Sequence, residues 1–229
     1  MFLKKIIVGL AALTLGLGLA APSAQAAPKQ LKANLAVLHA IPAGKGADVV
    51  DVYADDVRLL NNLTPGQLRN LKVPPGVYDI GIYADGSTPE SGKPLLSLDN
   101  ARFISGTCST ITANLDASGA PVATRFADCS SRNPVGVGRV TVRHIAAAPA
   151  VDFRANDQVI FGALTNGATA TKQLPSGTYS MTVALASNDA IVLGPASINV
   201  VRPFNTIVYA WGSAADGTLA FAFQKVIAR

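Results

Sequence analysis

Leu35-Ala36-Val37-Leu38-His39-Ala40, Val49-Val50-Asp51-Val52-Tyr53-Ala54-Asp55 and Val73-Pro74-Pro75-Gly76-Val77-Tyr78 form a series that returns later in the chain. The second series reads Val140-Thr141-Val142-Arg143-His144-Ile145, Ala150-Val151-Asp152-Phe153-Arg154-Ala155-Asn156 and Leu174-Pro175-Ser176-Gly177-Thr178-Tyr179. The offset is 105 between the histidines and 101 from Asp51/Asp152 through Tyr78/Tyr179, so the second copy has a loop four residues shorter after its histidine. Self-similarity at a fixed period reads as two copies of one structural unit. We expect one domain over residues 33–130, a linker over 131–136 beside Ser130-Ser131-Arg132-Asn133-Pro134, and a second domain over 137–229.

Within each copy, short runs rich in Val, Ile, Thr, Tyr and Phe alternate in polarity between Gly, Pro, Asn and Asp signals, and none sustains a helical period. Tyr179 to Leu185 alternates cleanly, and Thr206 to Trp211, Asp216-Gly217 and Leu219 to Phe223 read as a hairpin. These are read as strands with one face buried. About seven strands in a unit of ~95 residues suit two antiparallel sheets packed face to face. The expected fold class is therefore all-β: two tandem immunoglobulin-like antiparallel β-sandwich domains. The repeat favours two cores over one large barrel.

The chain opens with a different chemistry. Lys4 and Lys5 precede an apolar run from Ile6 to Ala21, and Ala24-Gln25-Ala26 is an A-x-A cleavage site. Residues 1–26 thus read as a secretory signal peptide, too short in its apolar run for a membrane span. Its removal leaves no transmembrane span and an exported chain of the envelope, periplasm or cell surface. Of the 229 residues only 14% are charged, and processing leaves 17 basic against 14 acidic residues. That balance, with no basic cluster, argues against nucleic-acid binding.

Cys108 and Cys129 are the two cysteines. A turn at Asp116-Ala117-Ser118-Gly119, centred between Ser118 and Gly119, pairs residues whose numbers sum to 237, which places the two cysteines opposite each other. We expect a structural disulfide there, since neither a C-x-x-C spacing nor a helix start is present to activate a thiol.

Pro74, Gly76 and Tyr78 recur as Pro175, Gly177 and Tyr179. Proline presets one turn dihedral and glycine permits positive φ, so each motif is expected to set the entry to the next strand. The tyrosine at such a corner is expected to bury its ring and bond its hydroxyl to backbone.

His39 and His144, the only histidines, occupy equivalent places, with Asp51 and Asp152 as expected partners. A carboxylate that orients an imidazole serves a buried bridge and a metal ligand alike. One imidazole per copy is thin for copper or zinc, which take three or four such ligands. The expectation is no cofactor and no catalytic residue, with a copper-dependent centre like that of a superoxide dismutase, built on His39 and His144, as the alternative. Hydrolase readings lack a G-x-S-x-G motif and a carboxylate pair flanking a cleft.

The three motifs resemble a bacterial exported domain family catalogued only as a domain of unknown function, whose members often stand in tandem on cell-envelope proteins. The second copy carries Phe153-Arg154 where the first has Val52-Tyr53. The resemblance implies an envelope-associated β-sandwich. We accordingly expect a non-catalytic structural or interaction protein, partnered by a surface-layer or outer-membrane complex or by further copies of itself. Candidate contact regions are Pro42 to Gly46, Gly86 to Glu90, and the strands from Tyr209 to Phe223.

Overall fold

The computed structural model describes residues 31–229, so the signal segment at 1–26 lies outside the described residues. Sixteen strands follow one another: β1 Ala33–Ala40, β2 Val50–Ala54, β3 Val57–Leu63, β4 Leu68–Val73, β5 Gly76–Ala84, β6 Leu96–Phe103, β7 Cys108–Leu115 and β8 Pro121–Ala127 in the first half. The second half holds β9 Val137–Ala147, β10 Val151–Ala155, β11 Gln158–Leu164, β12 Thr169–Pro175, β13 Gly177–Leu185, β14 Ile191–Val200, β15 Phe204–Ser213 and β16 Ala220–Ile227. Among the described residues no helix is long and apolar enough to cross a membrane.

The strands form four sheets of four, in the orders β4-β1-β7-β8, β3-β2-β5-β6, β12-β9-β15-β16 and β11-β10-β13-β14. The first two enclose one core, in which Leu35, Val37 and Ile111 meet Val52, Ile80, Ile82 and Phe103. The last two enclose another, in which Val140, Val142 and Val208 meet Phe153, Met181 and Val183. The molecule is thus all-β, two sandwiches, with eight strands in each where about seven were expected.

Strand order and register repeat between the halves. Asn34 pairs with Cys108 on β1 and β7, and Arg139, 105 residues after Asn34, pairs with Asn205 on β9 and β15. Both pairs run parallel, a departure from the expected wholly antiparallel sheets. The reason is the path of the chain: β1 and β7 are separated by the whole opposite sheet, and the chain returns in the direction it left.

A third apolar cluster lies between the sandwiches, where Leu38 and Ala40 of β1 meet Ile145 of β9 and Ile207, Tyr209 and Trp211 of β15. The sheets bearing β1 and β9 therefore pack outer face on outer face, giving a stack of four layers. This corrects the expectation of strands with one buried face. All eight residues of β7 are buried, as are nine of the ten in β15. The alternation of Ile207, Tyr209 and Trp211 with Val208 and Ala210 separates two apolar surroundings, the interface and the core.

Candidate functional site

Both histidines are fully buried and hold the loop that leaves their strand. His39 donates from Nε2 to the Ala47 carbonyl at 2.6 Å and accepts at Nδ1 from the Ile41 amide at 3.4 Å. His144 donates from Nε2 to the Pro149 carbonyl at 3.0 Å and accepts at Nδ1 from the Ala146 amide at 3.4 Å. Backbone fixes the strand side as well, through Gly66 N to His39 O and Gly167 N to His144 O, both 2.7 Å. This pattern requires the neutral ring with its proton on Nε2. Burial lowers the pKa of both histidines, against the opposing pull of the carbonyls at Ala47 and Pro149.

The expected His–Asp pairs do not form. Asp51 Oδ1 accepts from the Asn62 amide at 2.9 Å, with Arg58 3.8 Å from its other oxygen, and Asp152 Oδ1 accepts from the Ala163 amide at 2.7 Å. Asn62 and Ala163 are equivalent positions at left-handed φ of 53° and 52°, where β3 and β11 slip register. Each carboxylate thus caps an amide freed by a bulge, which is why an aspartate stands there. Among the described residues, no group of three His, Cys, Asp or Glu side chains is placed to hold a metal ion. A metal at either histidine would have to displace one of its backbone bonds.

The tyrosine motif forms its corner. Tyr78 donates to the Pro74 carbonyl at 3.2 Å and Tyr179 to the Pro175 carbonyl at 2.8 Å, with both rings half-buried. The glycine serves a purpose other than the one expected. Gly76 and Gly177 are absent from the positive-φ glycines; a Cβ on Gly76 would stand 2.9 Å from the Tyr78 ring, which lies over it. Residues i and i+2 share a strand face, so Gly76 makes room for the Tyr78 ring, whereas a Cβ on Gly177 would meet the Tyr179 ring at an ordinary 3.7 Å.

Cys108 and Cys129 form a disulfide, but not in the expected register. Along β7 and β8 the paired numbers sum to 236, as in Ser109 with Ala127 and Leu115 with Pro121. Asp116 explains the slip by one: its amide bonds the Ala120 carbonyl, and its Oδ1 accepts from the Ser118 and Ala120 amides, so the turn between the paired residues is one residue shorter than the expected centre implied. Asp128 is therefore opposite Cys108, and the disulfide closes diagonally, one residue beyond.

That slip places Asp128 at the centre of the seam between the sandwiches. Its Oδ1 accepts from Arg143 Nη2 at 2.7 Å and its Oδ2 from the Thr110 hydroxyl at 2.6 Å. Arg143 Nη1 donates to the Tyr209 hydroxyl at 2.7 Å, which donates to Gln224 Oε1 at 2.6 Å. Arg143 and Asp128 are 2% and 3% exposed, and the guanidinium lies over the Phe126 ring at 4.2 Å. Burial pushes the Tyr209 hydroxyl up to about 12, against the pull of Arg143. A buried pair is tolerable where most of the remaining donors and acceptors are satisfied, and here they are met from both sandwiches except at Arg143 Nε, which has no partner among the described residues.

Further contacts tie the edges of this seam. Asn166 Nδ2 donates to Leu115 O at 3.0 Å and Ala146 O at 2.7 Å, and Lys45 pairs with Asp216 at 2.8 Å. The Pro42 to Gly46 loop, expected to be free for a partner, is thereby engaged by the β15–β16 hairpin. At the rim of the seam a cavity of about 290 Å³ opens between β1, β4 and β16.

Sequence reasoning treated His39, His144, Asp51 and Asp152 as one constellation and passed over Asp128, Arg143, Tyr209 and Gln224. A signal for the second group was present: Arg143 interrupts the apolar run Val140 to Ile145, where the first copy has Leu38. A buried charge needs a partner, and Asp128 beside the disulfide was available.

Comparison with known proteins places this geometry in a family. A family model described as domain of unknown function (DUF4397) matches residues 33–154, more than half of the chain. No curated protein matches. One solved structure, described as alpha-glucan binding by a streptococcal virulence factor, aligns over 83% of this chain and 97% of that chain at 7% identity. Its TM-score of 0.25 carries no argument about fold or ligand.

Proposed function

We propose that this chain, which belongs to the DUF4397 family of domains of unknown function, is a non-catalytic exported protein that serves as a structural or interaction module of the cell envelope. The match covers the first sandwich and runs through β9 into β10. In this reading the second sandwich is a second copy of the same domain, supported by its identical strand order and by the matching roles of His39 and His144.

The observation that carries the reading is the Asp128–Arg143 seam. It makes a two-domain body of fixed shape, and the recurring polar residues hold loops, bulges and corners. A rigid body of this kind suits a component that presents surfaces to an assembly, here a surface-layer or outer-membrane complex. The export signal read in residues 1–26 directs it there. The test is native affinity purification from envelope fractions. Recovery in a stoichiometric high-mass complex is the expected result, and recovery solely as free monomer in the medium overturns it.

A further inference from the structure

We infer that the free edge of β16 is a docking site for an extended acidic segment of a partner protein, added as a further strand to the sheet β12-β9-β15-β16. The inference deepens the interaction-module reading and rests on it. Its first support is that the other edge strands are blunted. Backbone groups at an open edge are a template for another strand, and natural proteins obstruct them with proline, charge or bulges. Here β4 carries Arg69 and Lys72, β8 carries Pro121 and Arg125, and β12 carries Lys172 and Pro175, while β3, β6, β11 and β14 slip register. By contrast β16 pairs with β15 without a break over eight residues, and Ala-Phe-Ala-Phe-Gln-Lys-Val-Ile from Ala220 to Ile227 holds one charge.

The second support is a gap present in one sandwich and closed in the other. Arg125 on β8 pairs with Ile111, and Phe223 on β16 pairs with Val208, which are equivalent positions by the registers above. In the first sandwich Arg125 reaches across to β6, donating to Arg102 O at 2.7 Å and lying 5.6 Å over the Phe103 ring. In the second, Phe223 is 44% exposed and lines a cavity of about 420 Å³ between β14 and β16. The cavity of about 290 Å³ at the seam opens on the other side, and both include Gln224 and Lys225. An incoming strand therefore finds backbone to pair with and hollows for side chains on either face.

Charge selects the occupant. The two cavities, and a third that adjoins the seam cavity at Ile227 and Arg229, are lined by Lys72, Lys225, Arg229, Arg132 and Arg202, with no aspartate or glutamate. A second copy pairing edge to edge would set Lys225 and its basic neighbours against their own images, which disfavours it. An acidic extended segment meets complementary charge along its length.

The probe is a blocked heptapeptide alternating valine and glutamate, beside one alternating valine and lysine, with amide exchange followed on the mature chain. The acidic peptide is expected to slow exchange in residues 220–227 at least tenfold at saturation, and the basic one is not. Lys72→Glu combined with Lys225→Glu, both exposed positions, is expected to invert the preference with an unchanged melting temperature. Unaltered exchange at β16 with millimolar acidic peptide, or equal protection by both peptides, overturns the inference. So does protection of 220–227 that grows with protein concentration alone, which would assign the edge to a second copy. An intact envelope complex beside a failed peptide test refutes this surface alone, whereas loss of the complex refutes the module reading.

Discussion

The two sandwiches share a strand order and differ in how their last strand is secured. In the first, β8 is pinned at its end by Cys108–Cys129 and to β6 by Arg125. In the second, β16 has neither device: Val226 stands where the first copy has Asp128, and Phe223 where it has Arg125. The first copy is closed within itself, while the second is held by the seam, through Tyr209, Gln224 and Arg143 against Asp128 and Thr110. The same topology thus yields one unit that is closed and one that leaves an edge available.

The comparison breaks most severely at Arg143. Arg143→Ala leaves the Asp128 carboxylate buried without its partner, at a cost of about 3–5 kcal/mol. Chemical denaturation is expected to resolve into two transitions, the second sandwich melting first. Arg143→Met with Asp128→Leu removes both charges and is expected to recover most of the loss. If Arg143→Ala unfolds in a single step at wild-type stability, the seam does not couple the domains.

Next in size is the disulfide. Cys108→Ser with Cys129→Ser is expected to lower the first sandwich by about 3 kcal/mol in the chain-entropy model, leaving the second sandwich's own core unaltered. Because Asp128 adjoins Cys129, part of the cost should appear as a weaker seam, read as earlier separation of the two transitions. Peptide mapping under non-reducing conditions is expected to find the two cysteines linked.

Acid separates the copies less, since both carry a buried histidine. The folded pKa of each lies below the ordinary 6.5, so the unfolded chain takes up protons that the folded chain refuses. Stability is expected to be fully present above pH 6.5 and to fall as pH drops through the window below it, by up to about 1.4 kcal/mol per pH unit for each histidine. His39→Gln should abolish the part of that slope belonging to the first sandwich, and His144→Gln the part belonging to the second. An unchanged slope in either variant would place the titration elsewhere.

The sandwich class was legible because alternation and turn signals are local, and the like strand order of the two halves accords with the counterparts that His39, Asp51 and Tyr78 have in His144, Asp152 and Tyr179. The seam was less so. Alternation in β15 announces a buried face, but a strand whose other face packs on a second domain looks the same when both sets are apolar, as Tyr209 and Val208 are. The disulfide was anticipated with its register wrong by one, because the length of the turn is set by Asp116 side-chain bonds that composition alone does not reveal. The His–Asp constellation failed for a similar reason: Asp51 and Asp152 answer a bulge in the neighbouring strand, and a bulge leaves no mark on the periodicity of the strand that caps it.

The smallest expected effect sharpens the comparison most directly. Arg125 spans two edge strands through a hydrogen bond to Arg102 O and a contact with the Phe103 ring, and also donates to Ser109 Oγ on β7, all at an exposed site, so Arg125→Ala should cost about 1 kcal/mol. Such a loss accelerates amide exchange along β8 about fivefold if opening is local to that edge. The altered β8 should then exchange as β16 does in the unmodified chain. The reciprocal change, Phe223→Arg, places a guanidinium where β14 offers the carbonyls of Ser197 to Asn199, and is expected to slow exchange along β16. If both substitutions leave exchange at both edges untouched, the open edge of the second sandwich owes nothing to residue 223. The cause would then lie in β14, which slips register twice against β13 where its counterpart β6 slips once against β5.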